Sequence, residues 1–288
     1  MESEQPTVVV TGVTGFLGSW LTYELLKDGR FKVRATMRNK EDSLKVDLLR
    51  QGFGKLFDDL ELVSADLSED KSIDACIQGC TYVFHVATPF PVTSPKNDDE
   101  VIKPAVDGAE SIVKACDKHG VKRLIFTSTI GTMDDWSKRD ETIDETSIAP
   151  VTKTMIPYVK SKIYAERKIQ DCVKEINKNR NAAKKDELDL VIINSSYIQG
   201  PLIVKCSGPS QQMISGIMTG KLKRIPPYHV KGIDVRDLAQ CHIKGLEIEP
   251  GKRYATVAGE AFFKEMAGWI KKKYKKYGYR VTTKEASN

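Results

Sequence analysis

Tyr158 and Lys162 stand four residues apart in "YVKSK", directly after Pro157. Four residues is about one helical turn, so on a helix both side chains share a face. Pro157 suits the first position of such a helix. A tyrosine with a free pKa of about 10 is a poor acid or base near neutrality. A neighbouring ammonium favours the phenolate, so the spacing predicts that Lys162 lowers the Tyr158 pKa. A phenol tuned this way can donate or accept a proton at a reacting oxygen. Further hydroxyls lie in "FTST", Phe126–Thr129, where an apolar run ends. Ser128 or Thr129 at the carboxyl end of a strand can hold a substrate oxygen, because ligands of open α/β sheets bind there. A Y-x-x-x-K spacing alone is common by chance, so its meaning depends on the elements that position it.

The strongest positional signal is "VVVTGVTGFLGSWL", Val8–Leu21, with Gly12, Gly15 and Gly18 evenly spaced. An apolar β-branched run precedes the glycines and a helical period follows, the context a dinucleotide turn requires. In that reading Gly12 makes the tight turn, Gly15 lets a pyrophosphate approach and Gly18 lets helix and strand pack closely. The helix N-terminus offers N–H groups and partial positive charge to phosphate. Gly12, Thr14, Gly15, Phe16 and Leu17 are therefore the expected cofactor contacts of this turn. The G-x-x-G-x-x-G spacing differs from the commoner G-x-G-x-x-G. An NAD site would also place an acid at the end of the second strand. Here "KVRATMR" ends at Arg38, followed by Asn39. An arginine there can pair with a 2′-phosphate, which favours NADP(H); an exposed strand-end arginine is the plainer alternative.

The elements that must carry these groups alternate along the chain. Strand signals fall at Thr7–Thr11, Phe31–Met37, Leu60–Ala65, Thr81–Ala87, Arg123–Thr127 and Leu188–Asn194, with helical patterns between them. The longest helical patterns are Asp99–His119 and Tyr158–Ile176. Alternation predicts a doubly wound parallel α/β sheet of Rossmann type. Runs such as "YVFHVA" and "LVII" suit strands covered on both faces. After Gly200-Pro201 the rhythm weakens. Residues 1–194 read as the dinucleotide-binding domain, with 231–258 returning to it. Residues 195–230 and 259–288 read as a smaller C-terminal substrate lobe.

Composition sets limits. The 288 residues carry a net charge of +6, with 40% hydrophobic and 29% charged residues, ordinary for a globular protein. No apolar run reaches membrane-spanning length, and the polar start "MESEQPT" has no signal-peptide pattern, so the expected location is the cytoplasm, with no membrane partner. Cysteines 76, 80, 116, 172, 206 and 241 form neither a disulfide framework nor a C-x-x-C pair, and Cys76 and Cys80 read as packed residues. The four histidines share no ligand spacing, so no metal is expected; His85, inside a strand, reads as structural. The basic runs Lys174–Lys185 and Lys271–Lys276 read as solvated surface, and no nucleic-acid partner is expected. Trp136 lies in a polar loop, where it lines the substrate mouth or covers the core edge.

Together these pieces resemble the extended short-chain dehydrogenase/reductase superfamily, in its dihydroflavonol-reductase-like and cinnamoyl-CoA-reductase-like branch. The matching stretches include "VTGVTGFLGSWL", "VRATMR", "SADL" (Ser64–Leu67), "GCTYVFHVATP" (Gly79–Pro89), "EVIKPAVDG" (Glu100–Gly108), "VKRLIFTST", "YVKSKIYAE" (Tyr158–Glu166), "SYIQGP" (Ser196–Pro201) and "DVRDLAQCHI" (Asp234–Ile243), in family order over nearly the whole chain. The resemblance implies hydride transfer from NADPH to a small-molecule carbonyl. Thr129 would take the catalytic Ser/Thr position, with Tyr158 as acid/base and Lys162 as its activator. Arg38 and Lys45 would hold the 2′-phosphate. Asp66 and Leu67 would lie beside the adenine, and Ala87, Thr88 and Pro89 along the nicotinamide ribose. Thr127 and Ser195 are further expected cofactor contacts. Asp134 would face a substrate hydroxyl, with Pro89 beside the substrate as well.

Four departures from the family pattern bear on this. Thr129 replaces the usual serine but keeps its hydroxyl. Ser195 stands where the family has proline, which would loosen the turn under the nicotinamide. Asn177–Glu187 looks longer than the family's connection. The sequence ends at "VTTKEASN", where relatives continue for several tens of residues, so either the substrate pocket is incomplete or the form is divergent. A sugar-nucleotide epimerase or dehydratase, a hydroxysteroid dehydrogenase and a non-catalytic NADP-binding sensor are the competing readings. Tyr158 and Lys162 argue against the last. The oligomeric state, monomer or homodimer, stays open.

Overall fold

The computed structural model describes residues 5–88, 95–135, 142–205 and 208–286. Its centre is a seven-stranded sheet in the order β3-β2-β1-β4-β5-β6-β9. These strands are β1 (Thr7–Val10), β2 (Lys32–Met37), β3 (Leu60–Ser64), β4 (Tyr82–His85), β5 (Arg123–Thr129), β6 (Asp189–Ser195) and β9 (Lys252–Thr256). Every neighbouring pair is parallel. The chain runs outward from β1 to β3, then crosses back to place β4 on the other side of β1. That reversal opens a crevice beyond the carboxyl ends of β1 and β4, the place where such sheets bind ligands.

Strand alternation sorts the core into two layers. Val8 and Val10 of β1 pack with Leu21 and Leu25 of α1 (Phe16–Asp28) and Leu238 of α7 (Val235–Lys244). Val9 points the other way, among Ile73 of α3 (Asp70–Ile77), Ile112 of α4 (Asp99–Lys118) and Ile169 of α5 (Pro157–Ala182). Successive side chains on a strand alternate faces, so one continuous valine run serves both layers. Near the first layer, α2 (Ser43–Phe53) contributes buried Leu49 and Phe53. The helix α5 has Pro157 at its first position and 26 residues in all. It continues through most of Asn177–Glu187, so that stretch is the last turns of a helix and a short link instead of a long connection.

A second, three-stranded sheet has the order β10-β8-β7. It comprises β7 (Tyr197–Gln199), β8 (His229–Asp234) and β10 (Gly259–Phe262). Ile217 of α6 (Pro209–Thr219) and Phe263, Met266 and Ala267 of α8 (Phe263–Tyr274) form its apolar cover. β8 pairs here, and the chain rejoins the large sheet through α7 and β9. Among the described residues no helix is long and apolar enough to cross a membrane, and no group of His, Cys, Asp or Glu is arranged to hold a metal ion.

Candidate active site

The glycine turn joins β1 to α1 with the geometry its residue types demand. Gly12 has φ +81°, a left-handed conformation that favours glycine. A Cβ on Gly18 would lie 2.1 Å from the Gly12 carbonyl oxygen, so helix and turn meet at a distance only hydrogen allows. Gly15 is exposed at the N-cap of α1, and no side chain caps that helix. The first-turn N–H groups around Phe16 and Leu17 thus face outward without a protein acceptor from a cap. An open, uncapped helix start beside a glycine fits a phosphate group. Thr14 is partly buried in the same turn.

Two threonines outside the expected set lock this turn. Gly12 and Val13 donate their N–H groups to the Thr36 carbonyl at 3.1 and 2.9 Å. Thr11 accepts the N–H groups of Val86 and Ala87 at 3.0 and 2.9 Å and lies 3.1 Å from His85 Nδ1. These bonds set the end of β4, including Ala87, directly against Gly12. A Cβ on Gly12 would come within 3.0 Å of Ala87 Cβ.

Arg38 lies exposed at the end of β2. It is close enough to Asp66, past the end of β3, to help hold that carboxyl below its usual range, after the stronger effect of Ser68. Asp66 itself accepts from Ser68 N and Oγ at 2.9 and 2.7 Å. Leu67 packs toward α4, where a Cβ on Gly108 would meet it at 3.2 Å. Lys45 departs from a ready phosphate ligand. It sits on the first turn of α2 and pairs with Asp42 at 2.8 Å, and Asp42 is the N-cap of that helix.

The hydroxyl and acid–base groups gather at the ends of β4 and β5. Lys162 is 4% exposed. Its Nζ donates to the Thr127 carbonyl at 2.9 Å and to Thr88 Oγ1 at 2.5 Å. Burial pushes its pKa down to about 8, against the opposing pull of Glu166. Tyr158, one turn earlier, behaves opposite to the sequence expectation. Burial pushes its phenol up to about 12. The Thr127 side chain turns away, with Oγ1 2.9 Å from His242 Nε2 of α7, so only its carbonyl faces the site. Thr129 closes β5 and caps a 3-10 turn at residues 130–132, accepting from Gly131 N at 3.3 Å. A Cβ on Gly131 would touch Val159 at 3.4 Å and Thr129 at 3.6 Å, so the first turn of α5 abuts Thr129. Asp134 follows the 3-10 turn, 3.6 Å from Lys231 Nζ of β8. Ser195 ends β6 with its hydroxyl on the Ser128 carbonyl at 3.2 Å. Pro89 and Trp136 lie outside the described residues, as does Cys206.

Sequence reasoning missed the layer behind these groups. Glu166, 4% exposed, accepts from Ser128 Oγ and Asn194 Nδ2 and lies beside Thr132 and Arg253. The available signal was its spacing, four residues past Lys162 on the same helix face.

A family model described as the 3-beta hydroxysteroid dehydrogenase/isomerase family matches residues 9–214. The dihydroflavonol 4-reductase of Callistephus chinensis is 34% identical over 288 residues, spanning 96% of this chain and 75% of that protein. The bifunctional dihydroflavonol 4-reductase/flavanone 4-reductase of Malus domestica is 33% identical, spanning 96% of this chain and 79% of that protein. Among solved structures, vestitone reductase from alfalfa aligns with a TM-score of 0.75 at 30% identity, covering 96% of this chain and 84% of that one. The yeast methylglyoxal/isovaleraldehyde reductase Gre2, complexed with NADPH, aligns with a TM-score of 0.82 at 22% identity over 96% of this chain and 85% of that one, a likeness of fold. The chain belongs to the 3-beta hydroxysteroid dehydrogenase/isomerase family and, within it, to the dihydroflavonol-reductase-like branch of the extended short-chain dehydrogenase/reductases.

Proposed function

We propose that the protein is an NADPH-dependent reductase of ketones or aldehydes. The observation that carries the reading is the double anchorage of Lys162 to Thr127 O and Thr88 Oγ1, which sets the Tyr158 turn of α5 against the strand ends. The nicotinamide, when bound, supplies the hydride. The α1 N-terminus with Gly12 and Gly15 would receive the pyrophosphate, and Arg38 the 2′-phosphate. Ala87 and Thr88 would line the ribose beside it.

Tyr158 holds its proton at neutral pH, as a pKa near 12 requires. The proton that a carbonyl oxygen would take as it gains negative charge is therefore present, and the raised pKa makes its release depend on the charge that Lys162 brings. Thr129 holds that oxygen through its hydroxyl. Lys162 keeps positive charge next to the phenol while the proton leaves, and it stabilises the developing phenolate. Asp134, with Lys231 beside it, would meet a substrate hydroxyl.

The test is NADPH consumption over a panel of flavonoid ketones, small dicarbonyls, aldehydes and steroid ketones. Turnover of a carbonyl with one NADPH consumed per alcohol formed is expected. NADPH binding with no oxidation on any class would contradict the reading and favour a cofactor sensor. Turnover confined to steroids would move the substrate class to that of the family model's name.

A further inference from the structure

The Glu166 carboxylate is enclosed by polar groups from four elements. Ser128 Oγ of β5 donates to Oε2. Asn194 Nδ2 of β6 donates to the same oxygen at 3.1 Å, and Thr132 Oγ1 of the 3-10 turn lies 3.0 Å from it. Arg253 of β9 places Nε 2.7 Å from Oε1, an ion pair whose N–H is poorly aligned for a hydrogen bond. The same guanidinium reaches the Ser147 carbonyl at 2.6 Å and Thr132 Oγ1 at 2.9 Å. Both side chains are nearly enclosed, at 6% and 11% exposure. Ionised groups are buried this way only when paired and hydrogen-bonded. Among the described residues no hydrogen bond or ion pair joins this set to the glycine turn.

Its direction is toward the reacting groups. Asn194 Nδ2 also lies 3.3 Å from the Thr129 carbonyl, and Thr132 Oγ1, whose single proton goes either to Glu166 or to that carbonyl, lies 2.9 Å from it. Lys162 lies one turn before Glu166 on the buried face of α5. The groups facing Lys162 are few. From β4 and the residues after it come His85 and Thr88; from β5, the Thr127 carbonyl and the Phe126 ring, whose centroid is 5.3 Å from Nζ. From α5 comes Glu166, with Tyr158 one turn before Lys162 on the same helix. Burial and the Lys162 charge keep His85 neutral, and among the described residues Glu166 is the carboxylate that opposes the burial of the ammonium.

We propose that Glu166, held by Arg253, is a positioning residue that keeps Lys162 protonated and fixes the Thr129 backbone behind the reacting oxygen. It acts through Lys162 and Thr129 and touches neither substrate nor cofactor. The inference rests on the reading of Thr129, Tyr158 and Lys162 as the catalytic set.

The experiment is an NMR titration of the Lys162 ε-carbon in lysine-labelled full-length protein, with the resonance assigned through Lys162→Met. It needs neither cofactor nor substrate. Removing the charge in Glu166→Gln should lower the Lys162 midpoint by about one unit, the scale of a lost neighbouring charge. Glu166→Asp keeps the charge and should stay within about 0.3 unit of wild type. If Glu166→Gln does not fold, the double variant Glu166→Gln/Arg253→Met leaves no unpaired buried charge and should still lower the midpoint, by less than Glu166→Gln because the repelling guanidinium is gone as well. In any active substrate, the alkaline limb of kcat/KM should move with the NMR midpoint. An unmoved midpoint, or equal movement in Glu166→Gln and Glu166→Asp, overturns the proposal. A carbonyl panel without turnover contradicts the reductase reading alone and leaves the titration to decide on Glu166.

Discussion

His242 Nε2 lies 2.9 Å from Thr127 Oγ1, deep between α7 and the sheet. His242 Nδ1 is 2.8 Å from the Leu238 carbonyl, which can only accept, so Nδ1 carries the proton and the threonine donates to Nε2. His85 has the opposite tautomer. Thr11 Oγ1 already accepts two N–H groups, so it donates its own proton to His85 Nδ1. Both rings are buried and neutral. Burial pushes His242 down to about 4, and burial with the Lys162 charge pushes His85 down to about 3.

Stability should therefore fall on mild acidification. Both folded pKa values lie below the unfolded value of 6.5, so below 6.5 the unfolded chain binds protons that the folded one refuses. The contribution is fully present above 6.5 and is lost as pH falls toward the folded values. Between pH 6.5 and about 5 each histidine should cost roughly 1.5 kcal/mol. Urea unfolding across that window checks it. His242→Gln should flatten the slope by about half; an unchanged slope would show that the ring is not held neutral.

The glycines separate a packing role from a binding role. Gly18→Ala puts a methyl 2.1 Å from the Gly12 carbonyl and should destabilise the fold by roughly 1–3 kcal/mol. Gly15→Ala meets the same oxygen at 3.2 Å on an exposed helix start. It should cost under about 1 kcal/mol yet weaken NADPH binding at least about tenfold, since the methyl intrudes where the phosphate approaches. Denaturation and cofactor titration on both variants distinguish the two.

Cofactor choice should fall to Arg38. A charge-assisted bond to a 2′-phosphate contributes roughly 1.5–3 kcal/mol, or about 10- to 150-fold in affinity. NADPH should bind at least about tenfold tighter than NADH. Arg38→Ala should weaken NADPH while leaving NADH nearly unchanged. Lys45 is tied to Asp42, so Asp42→Asn should tighten NADPH by freeing it. Equal affinities in wild type, or equal losses in Arg38→Ala, would remove Arg38 from this role.

The parallel sheet and the glycine turn were legible because their signals are local. A valine run, three glycines and a helical period specify a strand, a turn and a helix without knowledge of the rest. The start of α5 was legible from Pro157 and the Tyr158/Lys162 spacing. Its end was not, because "NKNRNAAKK" is polar enough to read as a link, and helix propensity carries it to Ala182. The small sheet was hidden because β7, β8 and β10 are short and pair across long separations. The Lys45–Asp42 pair, the turned side chain of Thr127 and the Glu166–Arg253 pair depend on where side chains point after folding. The raised Tyr158 pKa has the same origin. Spacing places an ammonium one helical turn from the phenol, but burial decides which way the proton equilibrium moves.

The most direct measurement of the central claim is single-turnover reduction of the best carbonyl of the panel by NADPH deuterated at the transferring position, in wild type and Tyr158→Phe. Wild type should place the deuterium on the carbinol carbon of the alcohol. Tyr158→Phe should bind NADPH unchanged and react roughly 10²–10⁴-fold more slowly, the scale of a lost general acid. Equal rates in the two proteins, or deuterium absent from the product carbon, would contradict the account.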